Sequence, residues 1–126
     1  MRGATVTFES GGPFPRDYTH AADLASLAVA CLDGPDDADR IFYGATGQAL
    51  VTAGEVARIV MELVPGSRIE IPDFLSEADQ MELPYRGRLS IENARTQLGW
   101  EPRFKSIRDG LADYVERYRA FLTSSS

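Results

Sequence analysis

The run Arg16-Asp17-Tyr18-Thr19-His20, leading into Ala21-Ala22-Asp23, holds the densest chemistry in this 126-residue chain. A guanidinium is planar and permanently charged, and the first free amides of a helix attract anions, so the two side by side suit a phosphate or carboxylate. The helix start falls at Thr19 or His20, where the threonine hydroxyl is expected to accept from an orphan amide. The plainer alternative is that Arg16 pairs with Asp17 or Asp23 and closes a loop.

Other reactive residue types are thinly spread. His20, at a helix start, reads as a packing or backbone-bonding residue. Cys31 is the single cysteine and lies on an apolar helical stripe, which makes it core. Trp100 reads as a helix-end anchor. Asp33, Asp36, Asp37 and Asp39 crowd one loop but lack the alternating frame and glycine of a calcium loop, so a solvated loop and no metal site are expected. No Ser/His/Asp or Cys/His set has a catalytic spacing, and no catalytic residue is assigned. A strand followed by Gly44-Ala45-Thr46-Gly47 invites a dinucleotide-binding reading. That reading fails, because the next glycine of the pattern would fall at Leu50 and the following helix starts later.

Several elements must position these residues. Ala4–Glu9 alternates, with Val6 and Phe8 on one face, and predicts a half-buried strand. Gly11 to Pro15 ends it in a loop. Leu24, Leu27, Ala28, Cys31 and Leu32 recur at helical spacing over 21–32, and Gly34-Pro35 supplies a stop. Arg40–Tyr43 reads as a second, more buried strand. Thr52 with Glu55 forms a capping box for a helix whose stripe is Val56, Ile59, Val60 and Leu63, ended by Pro65-Gly66. Arg68–Ile71 alternates as a third strand. From Asp73 to Arg88 no period is sustained, which predicts a long surface loop. Ser90 caps a short helix carrying Ile91, Ala94 and Leu98, Gly99 gives a left-handed exit, and Trp100 folds back onto the last turn. The final helix starts at Ser106 with Asp109. Its stripe is Ile107, Leu111, Tyr114, Val115, Tyr118 and Leu122, with Arg108, Arg117 and Arg119 facing water. Thr123 to Ser126 form a frayed tail.

Size and composition fit one soluble α/β domain: 44% hydrophobic and 25% charged residues. A net charge of −6 argues against nucleic acid or an anionic membrane as the main partner. A single cysteine and no apolar run of spanning length predict a reduced, cytoplasmic setting. About three short strands and four helices make a poor sheet alone.

The motifs together resemble a known family. Arg16-Asp17-Tyr18-Thr19-His20 with Asp23-Leu24-Ala25, and the run Leu89-Ser90-Ile91 through Ala94-Arg95 to Leu98-Gly99-Trp100 and Pro102, look like the C-terminal portion of the extended short-chain dehydrogenase/reductases. These are the NAD-dependent sugar-nucleotide epimerases and dehydratases. Gly110-Leu111 with Tyr114 and Tyr118 is similar to the family's closing helix. The resemblance runs from Gly12 to Phe121 and implies that residues 1–122 form a single substrate-binding lobe of a Rossmann-type fold, with 123–126 as tail.

Within that resemblance, the Arg-Asp-Tyr motif implies substrate contact by Arg16, at the diphosphate of a nucleotide sugar, and by Tyr18. A second family arginine precedes a Gly-Asp in the long loop. Here that region reads Glu77-Ala78-Asp79-Gln80-Met81-Glu82-Leu83, so Arg86 or Arg88, a few residues later, is the substitute. Ala22 stands where the family often has Asp, and Tyr43 where it often has Asn. The family's Gly-x-x-Gly-x-x-Gly turn and its Tyr/Lys pair four residues apart have no counterpart. Lys105 is the one lysine, with no tyrosine at that spacing. The resemblance therefore implies NAD for a parent enzyme, none bound by this chain, and a C-terminal fragment inactive by itself. The alternative is a non-catalytic interaction module that self-associates over Val6, Phe8 and Ile41.

Overall fold

The computed structural model describes residues 4–125. They comprise β1 (Thr5–Thr7), β2 (Pro15–Arg16), α1 (Ala21–Asp33), β3 (Val51–Thr52), α2 (Ala53–Leu63), β4 (Arg68–Glu70), α3 (Glu77–Glu82), α4 (Glu92–Leu98) and α5 (Ile107–Ser124), with a 3₁₀ turn at Leu83–Tyr85. The class is α/β, with one more helix than the sequence suggested. The chain packs as two compact units, each built from separate stretches. One takes the chain up to Arg16, Leu50–Gly87 and everything from Ile107; the other takes Asp17–Ala49 and Arg88–Ser106.

In the first unit β1 pairs in parallel with β4, Val6 opposite Ile69, and β2 pairs antiparallel with β3, Arg16 opposite Val51. The capping box that opens α2 is present: Thr52 Oγ accepts from Glu55 N, and Glu55 accepts from Thr52 N. Ala57 and Ile59 bury the face of α2, and Val115 is the buried residue of α5. Polar clamps also hold the two helices. Arg108 of α5 bonds Glu62, and Arg119 donates to Leu63 O at 3.3 Å. Arg108 and Arg119 thus serve packing, although the sequence put them in water.

In the second unit Leu27, Ala94 and Trp100 form the core, with Ala30, Phe42, Ile91 and Leu98 around it. Ser90 Oγ accepts from Glu92 N at the start of α4, and Gly99 leaves it at φ 65°. Trp100 N then bonds back to Ala94 O, and its indole N–H donates to Ser26 Oγ at 2.8 Å, so the expected fold-back is present.

Five expectations are corrected. Arg40–Tyr43 is not a strand: Arg40 lies in a bend and the stretch joins no ladder among the described residues. The supposed loop from Asp73 to Arg88 contains α3, opened by a second capping box in which Ser76 Oγ accepts from Asp79 N and Asp79 from Ser76 N. Apolar stripes are far more exposed than their periodicity predicts: Leu32 is 85% exposed, Leu24, Tyr114 and Leu122 are exposed, and so are Val6 and Phe8 of the first strand segment. Cys31 is exposed as well, so it is not core. The last helix continues through Ser124, with Thr123 Oγ donating to Arg119 O; Ser126 lies outside the described residues. No helix among the described residues is long and apolar enough to cross a membrane.

Candidate functional site

Arg16 sits on a loop pinned from both sides. Gly11 N donates to Phe74 O and Gly12 N to Pro72 O, while Gly54 N donates to Gly12 O and Ala53 N to Phe14 O. At Gly12 a Cβ would stand 2.5 Å from Pro72 O, so only glycine permits this approach. Phe14, between Pro13 and Pro15, is driven inward by these bonds to 2% exposure.

Two arginines lie against the phenyl ring. The guanidinium carbon of Arg16 lies 4.8 Å from its centroid and that of Arg86 lies 5.2 Å from it, both within cation–π range. Two of the four residues expected to touch substrate are thus brought together on one buried aromatic. Sequence reasoning missed Phe14 itself. The available signal was a large apolar residue alone in a Gly/Pro loop, which has no reason to be there unless it is buried.

Arg86 follows the 3₁₀ turn, where its amide donates to Leu83 O at 3.1 Å. Its Nη2 also donates to Glu82 Oε2 at 2.7 Å. Among the described residues Arg16 has no such carboxylate. The two acids offered as its loop-closing partners are engaged elsewhere: Asp17 accepts from Thr46 N and Thr46 Oγ, and Asp23 accepts from Arg103 N and Phe104 N.

Tyr18 and Arg88 belong to the second unit. Tyr18 is half-buried. Arg88 lines a cavity of about 330 Å³ with Thr46, Gln48, Ser90, Arg95 and Lys105, and two acids there neutralise its neighbours: Arg95 pairs with Glu92 and Glu101, and Lys105 with Glu101. The cap of α1 differs from expectation. His20 Nδ1 accepts from Ala22 N at 3.0 Å and its ring stacks on Phe104, while Thr19 Oγ donates to Gly44 O. The threonine donates outward because the imidazole already occupies the capping position.

The Gly44-Ala45-Thr46-Gly47 turn is a packing element. A Cβ on Gly44 would stand 2.6 Å from Leu24 Cδ1, so the turn closes directly onto α1. The acidic loop is tied down too: Asn93 and Gln97 donate to Asp39, and these bonds, that of Asn93 foremost, hold its carboxyl below the usual range. No group of three or more His, Cys, Asp or Glu among the described residues has the arrangement of a metal site.

A lobe with this fold is known. The chain superposes on a UDP-glucose 4-epimerase from Thermotoga maritima, crystallised with UDP-glucose, at a TM-score of 0.76, covering 96% of this chain and 37% of that one at 24% identity. The fold is that of the C-terminal lobe of an extended short-chain dehydrogenase/reductase. UDP-glucuronic acid decarboxylases 5 and 3 of Arabidopsis thaliana are 31% and 30% identical to it over 119 residues, 94% of this chain. The chain is thus related to the sugar-nucleotide enzymes of that group, and it spans about a third of their length, 33% and 32% respectively. No family model matches it.

Proposed function

We propose that this chain is the substrate-binding part of an NAD-dependent sugar-nucleotide epimerase, dehydratase or decarboxylase, holding the diphosphate of a UDP-sugar through Arg16 and Arg86. The observation that carries the reading is the convergence of two guanidiniums on buried Phe14. Like charges so placed repel, and an anion with two phosphate groups relieves both at once. The relatives point the same way, since their names attach to UDP-glucuronic acid and UDP-glucose. Contact by Tyr18 and Arg88 rests on the family resemblance alone. Residues 1–122 would serve as one lobe, in the reducing cytoplasm that suits a lone cysteine. NAD and the proton-abstracting pair would belong to the parent enzyme, leaving this chain non-catalytic.

Calorimetric titration with UDP-glucose tests this. Arg16→Ala removes one charge-assisted contact, about 1.5–3 kcal/mol, and weakens binding roughly ten- to a hundred-fold. Unchanged affinity sinks the proposal, and tight stoichiometric NAD binding by this chain sinks the division of labour.

A second reading is a self-associating interaction module with no nucleotide site. It is favoured by the exposure of Ile41, 72% accessible on a stretch that joins no ladder among the described residues. A strictly monomeric species in light scattering across a wide concentration range counts against it.

A further inference from the structure

We propose that Glu82 is an internal competitor for Arg86, so that anion binding at the arginine pair proceeds by displacing a carboxylate; this rests on the reading of that pair as a diphosphate site. Glu82 ends α3, and its Oε2 stands 2.7 Å from Arg86 Nη2, on the same guanidinium that lies over Phe14. The pair is asymmetric. Arg16 is open to solvent, while Arg86 already has an anion at its edge.

An exposed i,i+4 ion pair is weak enough to be displaced, and the Glu82 side chain is 59% accessible, free to swing into water. The consequence is selection by charge. A monoanion at Arg86 exchanges one carboxylate for another and gains little. A diphosphate engages open Arg16 first and then outcompetes Glu82 with its second phosphate group, from a tethered position where its effective concentration is high. Glu82 thus sets a threshold that favours ligands carrying two adjacent charges over chloride, carboxylates or single phosphates.

The experiment uses UDP as probe, titrated calorimetrically into the wild-type chain, E82Q, R86A, R16A and the double variant E82Q/R86A. Glutamine keeps the size and helix propensity of Glu82, and circular dichroism checks that each variant folds. The expected result is that E82Q tightens UDP two- to five-fold, the range an exposed ion pair allows. The gain should vanish in the R86A background and should be at least as large for inorganic phosphate as for UDP, because the threshold set by Glu82 bears hardest on a single phosphate. Tightening of equal size with Arg86 absent would reflect net charge alone and overturn the proposal. Weakened or unchanged UDP binding in E82Q also overturns it, the former making Glu82 a positioning residue for Arg86. A large loss in R16A alongside a silent E82Q leaves the diphosphate reading intact and removes only the competitor. If the wild type does not bind UDP, or R16A binds it as the wild type does, the diphosphate reading fails and takes this one with it.

Discussion

Asp23 is 3% exposed in the first turn of α1, and its two carboxylate oxygens accept from Arg103 N at 2.7 Å and Phe104 N at 3.0 Å. These bonds tie the segment after Pro102 to the helix, next to the Trp100 indole on Ser26. Asp23→Ala removes two bonds to a charged acceptor, each about 1.5–3 kcal/mol, and strips both amides of their partner. Arg103 is exposed, so water recovers part of the loss, and about 3–4 kcal/mol is the expected cost. For a chain of this length that corresponds to roughly 10–15 °C in melting temperature. Asp23→Asn keeps one acceptor oxygen but turns an amide N–H toward the other donor, and should cost about half as much. The assay is urea unfolding followed by tryptophan fluorescence, because the sole tryptophan, Trp100, is buried in the same unit. Far-ultraviolet dichroism, which sees both units, runs in parallel. An Asp23→Ala chain within about 0.5 kcal/mol of wild type would refute the claim that this carboxylate anchors the segment.

Gly12→Ala drives a Cβ against Pro72 O, and about 1–3 kcal/mol of overpacking should appear in the urea midpoint together with weaker UDP binding, since the loop that carries Phe14 must shift. Glu62 is held below the usual carboxylate range by its bond to Arg108 first and to Arg58 second, so its contribution is complete above the ordinary carboxylate pKa and is lost as pH falls through the folded value. The stability difference between wild type and Glu62→Gln should therefore be largest near neutrality and shrink on acidification; a pH-independent difference contradicts it. Leu27→Ala, in the core of the second unit, should cost about 2–5 kcal/mol, whereas Leu32→Ser should change stability by less than about 0.5 kcal/mol. A large Leu32→Ser effect that grows with protein concentration would instead reveal self-association.

Local signals survived the passage from sequence to structure. Thr52-x-x-Glu55 opens α2 as a capping box, Gly99 exits α4 with positive φ, and Arg68–Glu70 is a strand. Each is decided within a few residues. What failed depends on distant partners. Among the described residues Arg40–Tyr43, though made of strand-forming residues, joins no ladder, and nothing fully covers the apolar stripes of α1 and α5. Ser76-Glu77-Ala78-Asp79 was readable as a cap, yet a six-residue helix is too short to show a period, and periodicity governed the reading of that segment. At the candidate site, the sequence pointed to Arg16 by its type and setting. Its convergence with Arg86 on Phe14 was not legible there, because it depends on tertiary bonds from Gly11, Gly12, Ala53 and Gly54.

Those bonds also bear on the proposed ligand. Both guanidinium carbons stand about 5 Å from one centroid, so they cannot be more than about 10 Å apart. At that separation their repulsion in water is about 0.4 kcal/mol and rises as they approach or as a ligand excludes solvent. Four backbone hydrogen bonds hold the loop around the buried ring, so the ring keeps its place, although each long side chain can still swing away. A bridging dianion would engage both guanidiniums by displacing Glu82 from Arg86, whereas a monoanion on Arg16 leaves Arg86 with Glu82. On the proposed reading, a preference for a diphosphate over a single phosphate or carboxylate would draw on the fixed position of Phe14 as well as on the arginines. Phe14→Leu, which keeps the burial but removes the π face, should lower UDP affinity more than it lowers stability.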